Sequence, residues 1–117
     1  MSRTVESNCI GYAFYKLGIT DKEIPQYSSD IDLNKYFQTV DDPENACAIA
    51  VLTKREENYV LQHIALLDFK NRVVIHRQAY GCPVKHITYH EFRRDWDDPG
   101  FFIKFLQLKK SLIVKED

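Results

Sequence analysis

The hydrophobic pattern of this chain changes period once, at Asp41-Asp42-Pro43-Glu44-Asn45, and that change limits the folds open to it. Before the break, Ile10, Ala13, Phe14 and Leu17 recur at helical spacing and share one face. Their segment opens at Ser7-Asn8, both good N-cap residues, and closes at Gly18. A second helix start is read at Ser28-Ser29-Asp30, followed by Ile31, Leu33, Tyr36 and Phe37. After the break, segments 46–53, 60–68 and 72–78 are rich in Val, Ile and Leu and read as strands, joined by charged turns at 54–58 and 69–71. A short strand is expected at 84–88 after Gly81-Cys82-Pro83. A short helix follows at 89–96, closed by Asp97-Asp98-Pro99-Gly100, and then a strand at 101–108. Helices first and hairpin-linked strands afterwards predict an α+β architecture, with N-terminal helices packed on a mostly antiparallel sheet.

The length of 117 residues fits one domain, 1–117, and leaves no room for a second core. With 16 basic and 17 acidic residues the chain has no long-range field for nucleic acid or an anionic membrane, so neither is expected as a partner. Lys109-Lys110 reads as a solvated strand end. The longest apolar runs, 48–52 and 64–67, fall far short of the about 20 residues a spanning helix needs. The N-terminal residues show no apolar core or small-residue cleavage site, and three cysteines cannot all pair within a monomer. The compartment that follows is the reducing cytoplasm, with a non-classical, phage or effector route as the way out of the cell.

Cys9 falls just past the N-cap of the first helix, where unpaired backbone N–H groups and the helix dipole favour thiolate over thiol. The same N–H groups can stabilise an oxyanion. Taken alone, Cys9 also fits a small buried hydrophobe. His63 and His76 lie inside consecutive apolar strands, Leu61-Gln62-His63-Ile64-Ala65 and Val73-Val74-Ile75-His76-Arg77. If Lys70-Asn71 make a tight primed turn, Phe69 pairs with Arg72, Ala65 falls opposite His76, and the two histidines share a sheet face one diagonal step apart. A turn one residue longer would put them on opposite faces.

Taken together, these residues resemble the NlpC-type cell-wall endopeptidases, a compact branch of the papain-like cysteine peptidases. That family opens its catalytic helix with a motif close to Asp-Cys-Ser-Gly, where this chain has Asn8-Cys9-Ile10-Gly11. The family's histidine strand, His-Val-Gly-Ile-Tyr, is similar to His63-Ile64-Ala65-Leu66-Leu67, and its Ile-His-Ala strand to Ile75-His76-Arg77. The closing segment is similar too, an aromatic stretch with Phe92 and Trp96 before a final strand at 101–108. The resemblance implies a papain-like core and cleavage of a peptide or amide bond, of the γ-glutamyl type in cell-wall peptides, by a Cys9-His63-His76 triad. Cys9 is then the nucleophile, His63 the base and His76 the residue that orients it. A cytosolic or phage-encoded amide hydrolase, or an effector, fits the same residues. The alternative from a different class is a binding or assembly module that keeps the fold without turnover.

Cys82, His86 and His90 have a metal-like spacing, but Pro83 and the β-branched residues between them break any single helix that would gather them, and no fourth ligand is apparent. No metal or cofactor is expected. Cys47, Trp96 and Phe101-Phe102 read as packing residues, and Tyr80-Gly81 as a cleft wall.

Overall fold

Asn8 begins the first helix as its side-chain chemistry predicts: Oδ1 accepts the N–H of Gly11 at 2.9 Å, and α1 runs Cys9–Lys16. The helix ends where Gly18 adopts a φ of +81°, the left-handed conformation that glycine takes without strain. These coordinates come from a computed structural model that describes residues 8–27, 32–77 and 82–109. The helix start read at Ser28-Ser29-Asp30 therefore lies outside the described residues; the helical turn that follows, α2, is Leu33–Tyr36 and is capped by Asp32.

Phe37 does not continue that helix. It opens a strand, β1 (Phe37–Val40), which the helical spacing had concealed. A single 3-10 turn, Pro43–Asn45, capped by Asp42, occupies the break in the pattern. The remaining elements are β2 (Ala48–Arg55), β3 (Asn58–Asp68), β4 (Val73–Arg77), β5 (Val84–Thr88), α3 (Tyr89–Asp95) and β6 (Phe101–Leu108). The expected 54–58 connection shrinks to Glu56-Glu57, because Lys54 and Arg55 continue the ladder against Tyr59 and Asn58. Thr88 and Glu91 form a reciprocal capping box that starts α3 directly after β5.

The six strands make one antiparallel sheet in the order β1-β6-β2-β3-β4-β5, and the chain is a small α+β fold. Its central strands are covered on both faces, which is why 48–51 and 63–65 are buried without alternation. Alternation still sorts the contacts. Ala48, Ala50, Ile64 and Leu106 pack with Cys9, Ile10, Ala13 and Phe14 of α1. Ile49, Val51, Ala65, Leu67 and Val74 pack with Phe92 of α3 on the other face. Among the described residues no helix is long and apolar enough to cross a membrane.

Phe92 is the anchor of the α3 face, with none of its surface exposed. Phe92→Ala is expected to cost about 3–5 kcal/mol, as large aromatic deletions in cores do. The lowered urea midpoint would report it. A loss under about 1 kcal/mol would mean that α3 adds little to the core.

Candidate active site

The β3–β4 hairpin has the register expected for a two-residue connection at Lys70-Asn71. Leu66 pairs with Ile75, Leu67 with Val74 and Asp68 with Val73, a register whose continuation puts Phe69 opposite Arg72 and Ala65 opposite His76. The turn chemistry differs from expectation. A primed turn would need positive φ at Lys70 and Asn71; instead Arg72 takes the left-handed conformation (φ 58°) and donates its N–H to Phe69 O at 3.0 Å. Asp68 stabilises this loop by accepting from the backbone and side chain of Asn71.

With that register, His63 and His76 share the α3 face. His63 Nε2 and His76 Nδ1 are 2.7 Å apart and share one proton. The His63 ring stacks on Trp96 at 5.2 Å between centroids, with the planes 17° apart, and Phe92 meets both imidazoles. Trp96 and Phe92 thus form the wall behind the histidines, a role that sequence patterning did not assign them. His63 is 1% exposed and His76 5%. Burial in this apolar wall, reinforced by the neighbouring His76, pushes the His63 imidazole down to about 3. Burial also lowers His76, with Lys85 acting in the same direction and Asp95 against it.

Cys9 approaches from the opposite face. It is the first residue of α1 and packs among Ile10, Ala13, Phe14 and Ile64. The backbone N–H of Ile64, the residue directly after His63, lies close enough to favour the thiolate. That N–H is available for a topological reason. Leu67 N–H points toward β2, where it bonds Cys47 O at 3.0 Å, so the N–H of Ile64 points the other way, toward β4. There the β3–β4 ladder has already ended at Leu66 and Ile75, while β4 stays paired with β5 as far as Arg77. Cys9 thus packs beside Ile64 on the α1 face, while the two histidines lie on the α3 face just past the end of the β3–β4 ladder.

Two corrections follow. The helix N-terminus was expected to favour the Cys9 thiolate. Burial outweighs it and raises the thiol, with the N–H groups of Ile64, Ile10 and Cys9 itself lowering it by less. Among the described residues no hydrogen bond joins Cys9 to His63 or His76, so the structure links the two histidines directly and packs the cysteine only with the neighbouring residue Ile64.

Arg77, next in sequence to His76, was not assigned a role either. It is a buried cation that donates to Glu23, at 2.9 Å from Nη2 and 3.1 Å from Nε, and to Cys82 O, while its guanidinium lies over the Tyr12 ring at 5.6 Å. The signal for it was a charged residue on the inner register of an apolar strand. A groove of about 620 Å³ beside α3 is lined by His90, Arg93, Arg94 and Trp96 and reaches the ring behind His63 without reaching either histidine.

Other expected residues fall elsewhere. Among the described residues no three His, Cys, Asp or Glu side chains gather as a metal site, and His86 and His90 lie on β5 and α3 respectively. Cys47 is half-buried beside the α1 core, and burial raises its thiol. Phe102, expected to be a packing residue, is instead 41% exposed and meets Tyr59 edge-on. Tyr80-Gly81 lies outside the described residues.

No protein-family model, curated protein or solved structure matches this chain.

Proposed function

We propose that the chain is a thiol hydrolase with a papain-like core that cleaves a peptide or amide bond. Cys9 is the nucleophile, His63 the general base and His76 the residue that holds it. The observation that carries this reading is the 2.7 Å contact between His63 Nε2 and His76 Nδ1, with His63 next in sequence to Ile64, against which Cys9 packs. If Nε2–H of His63 donates to His76, the tautomer is fixed and the Nδ1 lone pair of His63 is free to take a proton. Among the described residues Nδ1 makes no hydrogen bond. Cys9 would attack the carbonyl carbon as His63 takes the thiol proton. The same proton would then pass to the leaving amine, and water would release the acyl group. N–H groups at the start of α1 are suitably concentrated to receive the oxyanion.

Resemblance suggests a γ-glutamyl bond in cell-wall peptides as the substrate. The test is digestion of purified cell-wall peptides by wild type and by Cys9→Ala, with fragments read by mass. New fragments that depend on Cys9 are expected. If a panel of peptides and simple amides yields none, hydrolysis is excluded for those substrates.

One observation favours a second reading, a binding module without turnover. A raised thiol beside an imidazole pushed down to about 3 rests as a neutral pair, poorly matched for proton transfer while the site stays closed. That reading expects a peptide to bind, as heat in titration calorimetry, and to remain uncut.

A further inference from the structure

The chain that leaves α1 turns back on it. At Gly18 it takes a positive φ, with open space where a Cβ would point, and residues 19–27 return past the start of the helix that they have just left. Two polar attachments hold this return. Glu23 accepts from Nη2 and Nε of Arg77, whose side chain is 8% exposed against 12% for the glutamate. Farther on, both backbone polar groups of Gln26 are taken by one side chain: its N–H donates to Oδ1 of Asn8 at 3.2 Å, and its carbonyl accepts from Asn8 Nδ2.

These anchors bracket Cys9 along the helix. Asn8 immediately precedes it, and Tyr12, under the Arg77 guanidinium, lies about one turn beyond it. Apolar burial contributes little to holding the segment between and beyond them, because Ile24 is 48% exposed and Tyr27 59%. A segment held by a few polar contacts and little buried surface opens at low free-energy cost, independently of the core.

We propose that residues 23–26 are a strap closed over Cys9, and that its release from Asn8 and Arg77 governs access to the thiol. This inference takes Cys9 as the site's reactive group, as in the proposed hydrolase. Gly18 is the pivot. Arg77 is the latch: its three donor nitrogens are engaged by Glu23 and Cys82 O, so the strap and the start of β5 are tied to the residue next to His76. Asn8 is shared, since its Oδ1 caps α1 through Gly11 while also holding Gln26. When the strap leaves, the helix cap remains, and the N-terminal N–H groups around Cys9 stay in place to act on a bound carbonyl.

The test is site-resolved alkylation by iodoacetamide at neutral pH, with Cys9 and Cys47 followed as separate peptides by mass spectrometry. Glu23→Gln weakens the latch and Gln26→Pro removes the N–H that Asn8 accepts without touching the Gly11 cap. Each is expected to speed labelling of Cys9 by about tenfold or more, the scale set by losing a hydrogen bond to a charged or part-buried partner. Cys47 reports general loosening and should keep its wild-type rate. If Glu23→Gln does not fold, Gln26→Pro carries the test. Unchanged Cys9 labelling, or Cys9 and Cys47 rising together, would overturn the strap. Hydrolysis is not measured, so a failure of the proposed enzyme activity leaves this result separately readable.

Discussion

His63→Ala is expected to reduce turnover by about 10²–10⁴-fold, the usual worth of a positioned general base. The substitution removes the group proposed to accept the thiol proton and leaves Cys9 as an undissociated thiol at neutral pH. His76→Ala should cost less, because His63 would keep its basic nitrogen and lose only the partner of Nε2. His76→Asn, whose amide can still meet Nε2, should recover part of that loss. The measurement is kcat for each variant, alongside circular dichroism to confirm that the sheet survives. Suppose His76→Ala abolished turnover while His63→Ala retained most of it. The two roles would then be exchanged, and the proton path would have to run through the other ring.

Acid should unfold this protein more readily than its carboxylates alone would cause. His63 titrates near 6.5 in an unfolded chain but is held down to about 3 in the fold. Between those values the unfolded state carries a proton that the native state refuses. Stability from this group is therefore full above pH 6.5 and lost as pH falls toward 3. One proton corresponds to about 1.4 kcal/mol per pH unit, so the whole window is worth on the order of 4–5 kcal/mol. His76 shifts in the same direction and adds to the slope. About 3 kcal/mol of it is gone by pH 4, a large share of the about 5 kcal/mol at the low end of typical domain stability. Urea melts of wild type and His63→Gln between pH 7 and pH 4 test it. Glutamine can keep a contact to His76 and cannot titrate, so its stability should fall less steeply. Parallel pH profiles for the two proteins would place the acid sensitivity elsewhere.

Local patterns revealed α1, the β3–β4 register and the histidine pair because each depends on nearby residues. Asn8 and Gly18 mark both ends of a helix through their own chemistry. Alternation between Ile64 and Leu67 fixes which side chains share a face, and the register survived even though Arg72 rather than Asn71 took the unusual backbone conformation. Phe37–Val40 was not readable in this way. Four residues make a strand only because β6 arrives beside them, with Phe37 opposite Leu108. The same limit applies to Cys9. Its place at a helix start is local and argues for a thiolate, whereas the desolvation that overrides it comes from burial in the core between α1 and the sheet. Trp96 was recognised as aromatic packing, but its partner, the His63 ring, is determined by how α3 crosses the sheet.

The place of β6 between β1 and β2 has a consequence for how the protein is made. During synthesis β1 and β2 emerge first, yet they are not neighbours in the sheet. The slot between them stays empty until residues 101–108 leave the ribosome. Until then β2 has one paired side, β1 has none, and the Ala50–Ile64 surface beneath α1 lacks Leu106. The nascent chain can form the β2–β3 and β3–β4 hairpins early, but closure of the sheet is a late, long-range step. Such topologies fold slowly for their size, because loop entropy must be lost before distant strands reward it. A chain stalled before Phe101 would leave open the two strand edges that β6 pairs, the condition under which β-rich intermediates aggregate.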